Sequence, residues 1–237
     1  MRALRILGWT MVWSGTLIVA FLAYQLVGTN FITARAQSNA EAAFEARLAA
    51  ASDLAEPIPF EQDDPTIGSA PDQPMVTLPS LYPEEAPDVG EPVGRLTIGG
   101  IGVDHVLMEG VDRSTLKAGP GHMPWTPLPG QPGNAVISGH RTTYGAPFFD
   151  LDQVSLGDLI TVETLRGQHT FQVRETLIVA PSDVWVTEFR PGSWLTLTTC
   201  NPRFSARQRL IVVAELVEGP NYDFIQAQQQ VDENPEV

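Results

Sequence analysis

The chain has one cysteine among 237 residues, one lysine against thirteen arginines, and no charged residue between positions 6 and 27. Each scarcity excludes something. A lone thiol, Cys200, has no partner within the chain, so no internal disulfide can staple the fold. No Cys/His cluster has zinc spacing and the scattered acids do not form a calcium loop, so no metal and no cofactor is expected. Basic residues total 14 against 28 acidic ones, and no basic patch points to nucleic acid. Beyond residue 51 sustained helical periodicity is missing, which argues against a helical or α/β domain.

The formal charge of −14 is unevenly spread. Residues 52–92 hold ten acids and no Lys or Arg, and residues 215–237 hold six acids and no base. Residues 93–214 are electroneutral, with ten charges of each sign. The acidity belongs to the flanks of one central domain, which is what a chain of this length allows.

The uncharged run 6–27 reads as a helix of roughly 33 Å, enough to cross a hydrocarbon core of about 30 Å. Arg2 and Arg5 precede it, which places the N-terminus in the cytoplasm and the rest outside the cell. The alternative is a cleaved signal peptide, with Ala34-Arg35-Ala36 as the cleavage site, but the run exceeds the usual ~7–15 residues of a signal core. Residues 1–32 are therefore expected to form a single-pass anchor. Residues 33–51, with Ala36, Ala40, Phe44 and Leu48 at near-helical spacing, predict a juxtamembrane helix. Nine prolines and ten acids in residues 52–92 predict a disordered tether.

From residue 93 the pattern changes to short β-like runs punctuated by Gly and Pro. Strands are expected at 94–98, 103–108, 135–138, 159–163, 169–174, 177–180, 195–199 and 210–216, with a turn at Arg166-Gly167. About eight short strands in ~120 residues predict an all-β, closed or nearly closed barrel spanning 93–218. Residues 114–118 allow a single helical turn, and 219–237 read as a fraying polar tail.

Three strand ends carry chemistry. Cys200 closes the run 196–200, and Arg209 opens the next strand after an eight-residue connection; antiparallel pairing would set both at one end of the barrel. His140 follows the strand 135–138, with Gly139 leaving room for close backbone approach. A thiolate is a strong nucleophile, an imidazole can shuttle protons to a leaving amine and from an incoming one, and a guanidinium can hold a carbonyl or oxyanion. Each has a bland alternative: a small buried hydrophobe, a structural Gly-His pair, an edge charge. Their joint arrangement outweighs these.

The same residues carry a resemblance. Thr196-Leu-Thr-Thr-Cys200 resembles the T-L-x-T-C signature of sortases, Arg209-Leu-Ile-Val212 resembles the strand that follows it, and Gly139-His140 sits where the sortase histidine should. Gly119-Pro-Gly-His122, Leu128-Pro-Gly-Gln-Pro-Gly-Asn134, the run 139–147 and the run 202–210 are similar to class E. The resemblance implies an eight-stranded barrel transpeptidase. Cys200 would cleave a C-terminal sorting signal between Thr and Gly, with Leu-Ala-x-Thr-Gly the motif of this class. The partners implied are sorting-signal-bearing surface proteins, a cell-wall precursor amine and the membrane. Family members often carry Tyr after the His122 counterpart, in the loop bordering the substrate groove; this chain has Met123.

Weaker expectations attach to other residues. His122 either lines the groove or orders its loop. Thr199 either orients the thiol or is an ordinary strand residue. Tyr144 either shapes the pocket or is a buried turn aromatic. Arg203 and Arg207 read as solvated loop charges, and His105 and His169 as structural. Two other functions stay open: a catalytically silent peptide-binding barrel and a thiol hydrolase acting on water alone.

Overall fold

The computed structural model describes residues 2–24, 28–51, 57–59 and 79–233. Its centre is a closed barrel of eight strands: β3 (Pro92–Ile98), β4 (Val103–Glu109), β5 (Gly121–His122), β6 (Gly133–Ser138), β7 (Leu159–Thr164), β8 (Gly167–Val179), β9 (Ser193–Asn201) and β10 (Gln208–Glu218). Around the barrel they run β10-β8-β7-β3-β4-β5-β6-β9. The pairs β4–β5 and β6–β9 are parallel and the rest antiparallel. Alternation builds the interior: in β7, Ile160, Val162 and Thr164 are buried while Leu159 and Glu163 are exposed. Leu96, Leu107, Ile137, Phe171, Leu195 and Val212 meet in the core, all fully buried. β9 and β10 are covered on their outer side as well, where the crossover from β8 lays Val186 on Ile211 and Val213. That double coverage makes β10 read as a near-continuous apolar run from Leu210 to Ala214.

Three elements depart from the sequence expectation. The runs 169–174 and 177–180 are one 13-residue strand, β8. Its register against β10 jumps from Val213↔Glu175 to Ala214↔Val173. The extra residue, Arg174, is a bulge that swaps the faces and breaks the sequence alternation. The two-residue β5 is too short to show any period. Residues 222–233, expected to fray, form helix α4 (Tyr222–Glu233), which buries Ile225 and packs Tyr222 and Phe224 on the core. The expected turn at 114–118 is helix α3 (Arg113–Ala118), capped by Asp112, whose carboxylate accepts from the Ser114 and Thr115 amides.

Upstream, α1 (Arg2–Ala23) carries no charge after Arg5, and within it Arg2–Phe21 is the only helix among the described residues long and apolar enough to cross a membrane. Helix α2 (Thr29–Ala50) is longer than the juxtamembrane helix expected at 33–51 and lies against the barrel. It buries Ala40 and Phe44 on Val106 and Met108 of β4. Gln37 donates to the carbonyls of Val106 and Ala118 and accepts the Val106 amide, so a side chain satisfies an otherwise open stretch of β4 edge. Farther along, Glu41 pairs with Arg95, and Arg47 donates to the Pro92 carbonyl. Full burial of a side chain the size of Phe44 stabilises by about 1.5–3 kcal/mol.

Of the expected tether, residues 52–56 and 60–78 lie outside the described residues. What is described holds to the barrel. The short strands β1 (Ile58–Pro59) and β2 (Ser80–Leu81) pair with each other. The Tyr82 amide donates to Asn221, Arg166 donates to the Pro83 carbonyl, and Glu84 accepts from the Thr164 hydroxyl and the Leu165 amide. Residues 79–91 thus differ from the free chain expected there, because their backbone groups and one carboxylate find partners on the β7–β8 hairpin and α4.

Candidate active site

The site is set by two registers. Parallel β6 and β9 place Ser138 opposite Thr198, and the Gly139 amide continues the ladder to the Thr198 carbonyl at 3.1 Å. His140 therefore emerges level with the end of β9. Antiparallel β9 and β10 place Cys200 opposite Arg209. Residues directly opposite share a face, with Cβ atoms about 4.5–5.5 Å apart. Gly139 is needed for a spatial reason: a Cβ there would stand 2.6 Å from the ring of buried Phe148. The Thr199 hydroxyl donates to the Gly139 carbonyl at 2.7 Å and ties the residue before His140 to the residue before Cys200.

His140 and Cys200 line one open cavity of about 350 Å³, with Arg141, Thr142, Thr143, Phe204, Ser205 and Ala206. His140 is half-buried and its pKa is lowered, first by that burial and second by the nearby Lys117 cation. The ring is thereby held neutral near pH 7, the form that accepts a proton. Its centroid lies 5.2 Å from that of Tyr144, whose other neighbour is the Lys117 ammonium, 5.5 Å from the ring centroid.

Cys200 is partly exposed, and the strand end beneath it is braced by a buried cation. Arg141 donates to the carbonyls of Phe149 (2.9 Å) and Cys200 (3.3 Å), to the Asn201 side chain (3.3 Å), and pairs with Asp152 at 3.0 Å. Arg203 stacks over Phe149 and pairs with Asp150 and Asp152, so it is not the solvated charge expected. Arg207 is exposed. Arg209 shares the face of Cys200, but its guanidinium donates to the Ala206 and Gln208 carbonyls, both at 3.0 Å, and does not line the cavity.

The structure thus brings His140 and Cys200 to one cavity and Arg209 to its edge. The weaker candidates fall differently. His122 is fully buried, with Nδ1 on the Glu109 carboxylate at 2.8 Å and Nε2 on the Pro127 carbonyl at 2.9 Å, so it orders its loop and lines no groove. Met123 is half-buried and ties its amide to Val136, away from the cavity. Thr199 is buried and its hydroxyl is spent on the Gly139 carbonyl, so it braces the strand end and is not directed at the thiol. Tyr144 does border the site, through His140. Missed by the sequence reading were Arg141, Lys117 and Phe204. A charge directly after the histidine, and the only lysine of the chain, were the available signals.

A model of the sortase domain family matches residues 96–217. Sortase SrtE1 of Streptomyces coelicolor is 32% identical over 226 residues, which is 91% of this chain and 58% of that protein. The chain spans about half the length of the relatives it matches. Among solved structures, a variant of sortase E from Streptomyces avermitilis superposes with a TM-score of 0.51 at 32% identity, over 55% of this chain and 91% of that one. Sortase C from Clostridium perfringens with the C-terminal cell wall sorting motif gives 0.53 at 25% identity, over 55% and 73%.

Proposed function

Because the chain belongs to the sortase family, we propose that it is a membrane-anchored cysteine transpeptidase acting on a Leu-Ala-x-Thr-Gly-like signal. The observation that carries this reading is the shared cavity of Cys200 and His140, with Arg209 in register opposite Cys200. The Cys200 thiolate attacks the Thr carbonyl carbon of the Thr–Gly bond. Arg209 leaves the Ala206 and Gln208 carbonyls and donates to the oxyanion. His140, protonated on the thiol's ionisation, gives that proton to the departing glycine amine as the C–N bond breaks and a thioester forms. An incoming amine of a cell-wall precursor then loses a proton to His140, attacks the thioester and releases the thiolate. That the relative from C. perfringens was solved with a sorting motif supports a peptide substrate of this class. Helix α1, with Arg2 and Arg5 at its start and an uncharged run after them, supports a single-pass anchor with the N-terminus in the cytoplasm and the barrel outside the cell.

The test is mass spectrometry of the protein incubated with a Leu-Ala-x-Thr-Gly peptide and diglycine. A ligated product carrying diglycine is expected. Release of the free acid alone would mean a hydrolase, and a thiol inert even to a vinyl sulfone peptide would mean a silent binding barrel.

A further inference from the structure

The loop after His140 is held from outside the barrel. Tyr144, Gly145 and Ala146 have φ of 52°, 75° and 45°. Two of the three carry a Cβ, and such residues stay in the left-handed region only where their surroundings hold them. Inside the loop, Ala146 donates to Thr143 and Phe149 to Ala146, each at 3.0 Å. The Gly145 amide goes elsewhere. It donates to the Asn30 side-chain oxygen on α2 at 3.0 Å, across 115 positions of sequence. Thr33, one turn farther along α2, lies against the same glycine: a Cβ at Gly145 would meet its methyl at 3.0 Å. The Thr33 hydroxyl donates to the Lys117 carbonyl at 2.8 Å. Lys117 in turn sits over the Tyr144 ring, and Tyr144 against His140.

We propose that the N-terminal end of α2 is a positioning element of the active site, in which Asn30 and Thr33 fix the loop 141–147 and so fix where His140 stands relative to Cys200. The inference rests on the cysteine–histidine reading given above. The docking of α2 does not depend on these two side chains. Ala40, Phe44, Gln37, Glu41 and Arg47 hold the helix along β3 and β4, about one to four turns beyond Thr33. Among the described residues Asn30 makes its hydrogen bond to the loop, and Thr33 bonds beyond its own helix to α3 while its methyl faces the loop. Their function is therefore separable from the fold. Displacing a catalytic group by even 1 Å can cost up to about 10²-fold in rate, so loss of one loop tether should be visible in turnover.

The experiment uses the full chain in detergent micelles. Wild type is compared with Asn30→Ala, Thr33→Val, Thr33→Ser and, as a control on an exposed α2 position, Glu45→Ala. Single-turnover cleavage of a Leu-Ala-x-Thr-Gly peptide is measured together with hydrogen–deuterium exchange of residues 141–147. Asn30→Ala and Thr33→Val are expected to lower the maximal rate about tenfold while leaving half-saturation within about twofold. Thr33→Ser keeps the hydroxyl and should recover most of the rate. Exchange should rise in 141–147 and stay unchanged in β9 and β10. Rates of Asn30→Ala and Thr33→Val within twofold of wild type would overturn the proposal, as would equal losses in Glu45→Ala. If wild type itself cleaves no peptide, the transpeptidase reading fails, and the exchange arm alone decides whether α2 holds the loop: unchanged uptake in 141–147 on Asn30→Ala refutes it.

Discussion

The two ends of the barrel treat polar groups in opposite ways. At the end where β7 meets β8, polar side chains are buried and mutually engaged. Thr164 bridges Glu84 and His169, and Asn221 ties Tyr82 to Gly130; His122, opposite Ile137 of β6, is likewise held between Glu109 and Pro127. At the mouth, neither the His140 ring nor the Cys200 thiol has a hydrogen-bond partner among the described residues, although the backbone beneath them is braced by Arg141 and Thr199. Buried polar groups that are left unpaired weaken a fold, so the closed end pairs most of them, His169 Nδ1 and Ser193 Oγ being exceptions among the described residues. In the proposed mechanism the thiol and imidazole must stay available to a substrate, and the mouth leaves them without partners among the described residues and spends its hydrogen bonds on the backbone beside them. Stability and reactivity are thus assigned to opposite rims of one sheet.

The largest effect that would break this division is at the mouth. Cys200→Ala removes only a small side chain from a partly exposed strand end. Thioacyl formation and transfer, followed by mass spectrometry, should vanish, while the thermal midpoint stays within a few degrees of wild type. Turnover above background would move the nucleophile elsewhere.

Arg209 comes next. Arg209→Ala should slow thioacyl formation by roughly 10²–10³-fold, the range for losing one oxyanion donor. Arg209→Lys should recover little, because an ammonium lacks the planar fork. Arg207, exposed and two positions earlier in the connection, should matter only slightly when mutated. Equal losses at both, in single-turnover kinetics, would reduce the role of Arg209 to general positive charge.

For a buried and fully paired group the same logic predicts the reverse split. His122→Ala strands the Glu109 carboxylate, which is only 1% exposed, and should cost about 3 kcal/mol of stability. The rate per folded molecule should hardly change, since His122 touches no part of the cavity. Urea unfolding and active-site titration together check this. A large drop in rate at unchanged stability would restore His122 to the groove.

How much of this was legible before the structure follows from where the partners are. Period-two alternation marks a barrel strand such as β7 within a few residues, and an eight-residue connection between two strands is enough to bring Cys200 and Arg209 level. Arg174 hides the unity of β8 because a bulge inverts the pattern that reveals a strand. The docking of α2 and of residues 79–91 was hidden for another reason. Their partners are mostly backbone atoms, as when Gln37 reaches Val106 and Arg166 reaches Pro83. Composition reports side chains and says nothing of such bonds. Lys117 was invisible in the same way, since one charge on a six-residue helix has no period.

The smallest and most specific expectation concerns His169 at the closed end. The Thr164 hydroxyl donates to Glu84, so its oxygen accepts from Nε2–H of His169 at 3.1 Å. The other ring nitrogen, Nδ1, is buried without a partner and faces Gly130, where even a Cβ would stand 2.1 Å away. A second proton would have nothing to donate to, and burial lowers the His169 pKa from 6.5 to about 4. The unfolded chain binds that proton readily and the folded one refuses it, so stability is complete above pH 6.5 and falls as the pH drops toward 4. Between pH 7 and pH 5 the loss from this residue is about 2 kcal/mol. Glu84 runs the other way. Burial raises its pKa, so its contribution is greatest at low pH and falls as the pH climbs past 4.5. The histidine can be separated by substitution. His169→Gln keeps an N–H for Thr164 and removes the titrating ring, so urea unfolding of the variant at pH 7 and pH 5 should show a difference about 2 kcal/mol smaller than in wild type. If the two proteins lose the same stability on acidification, His169 is not the group that senses it.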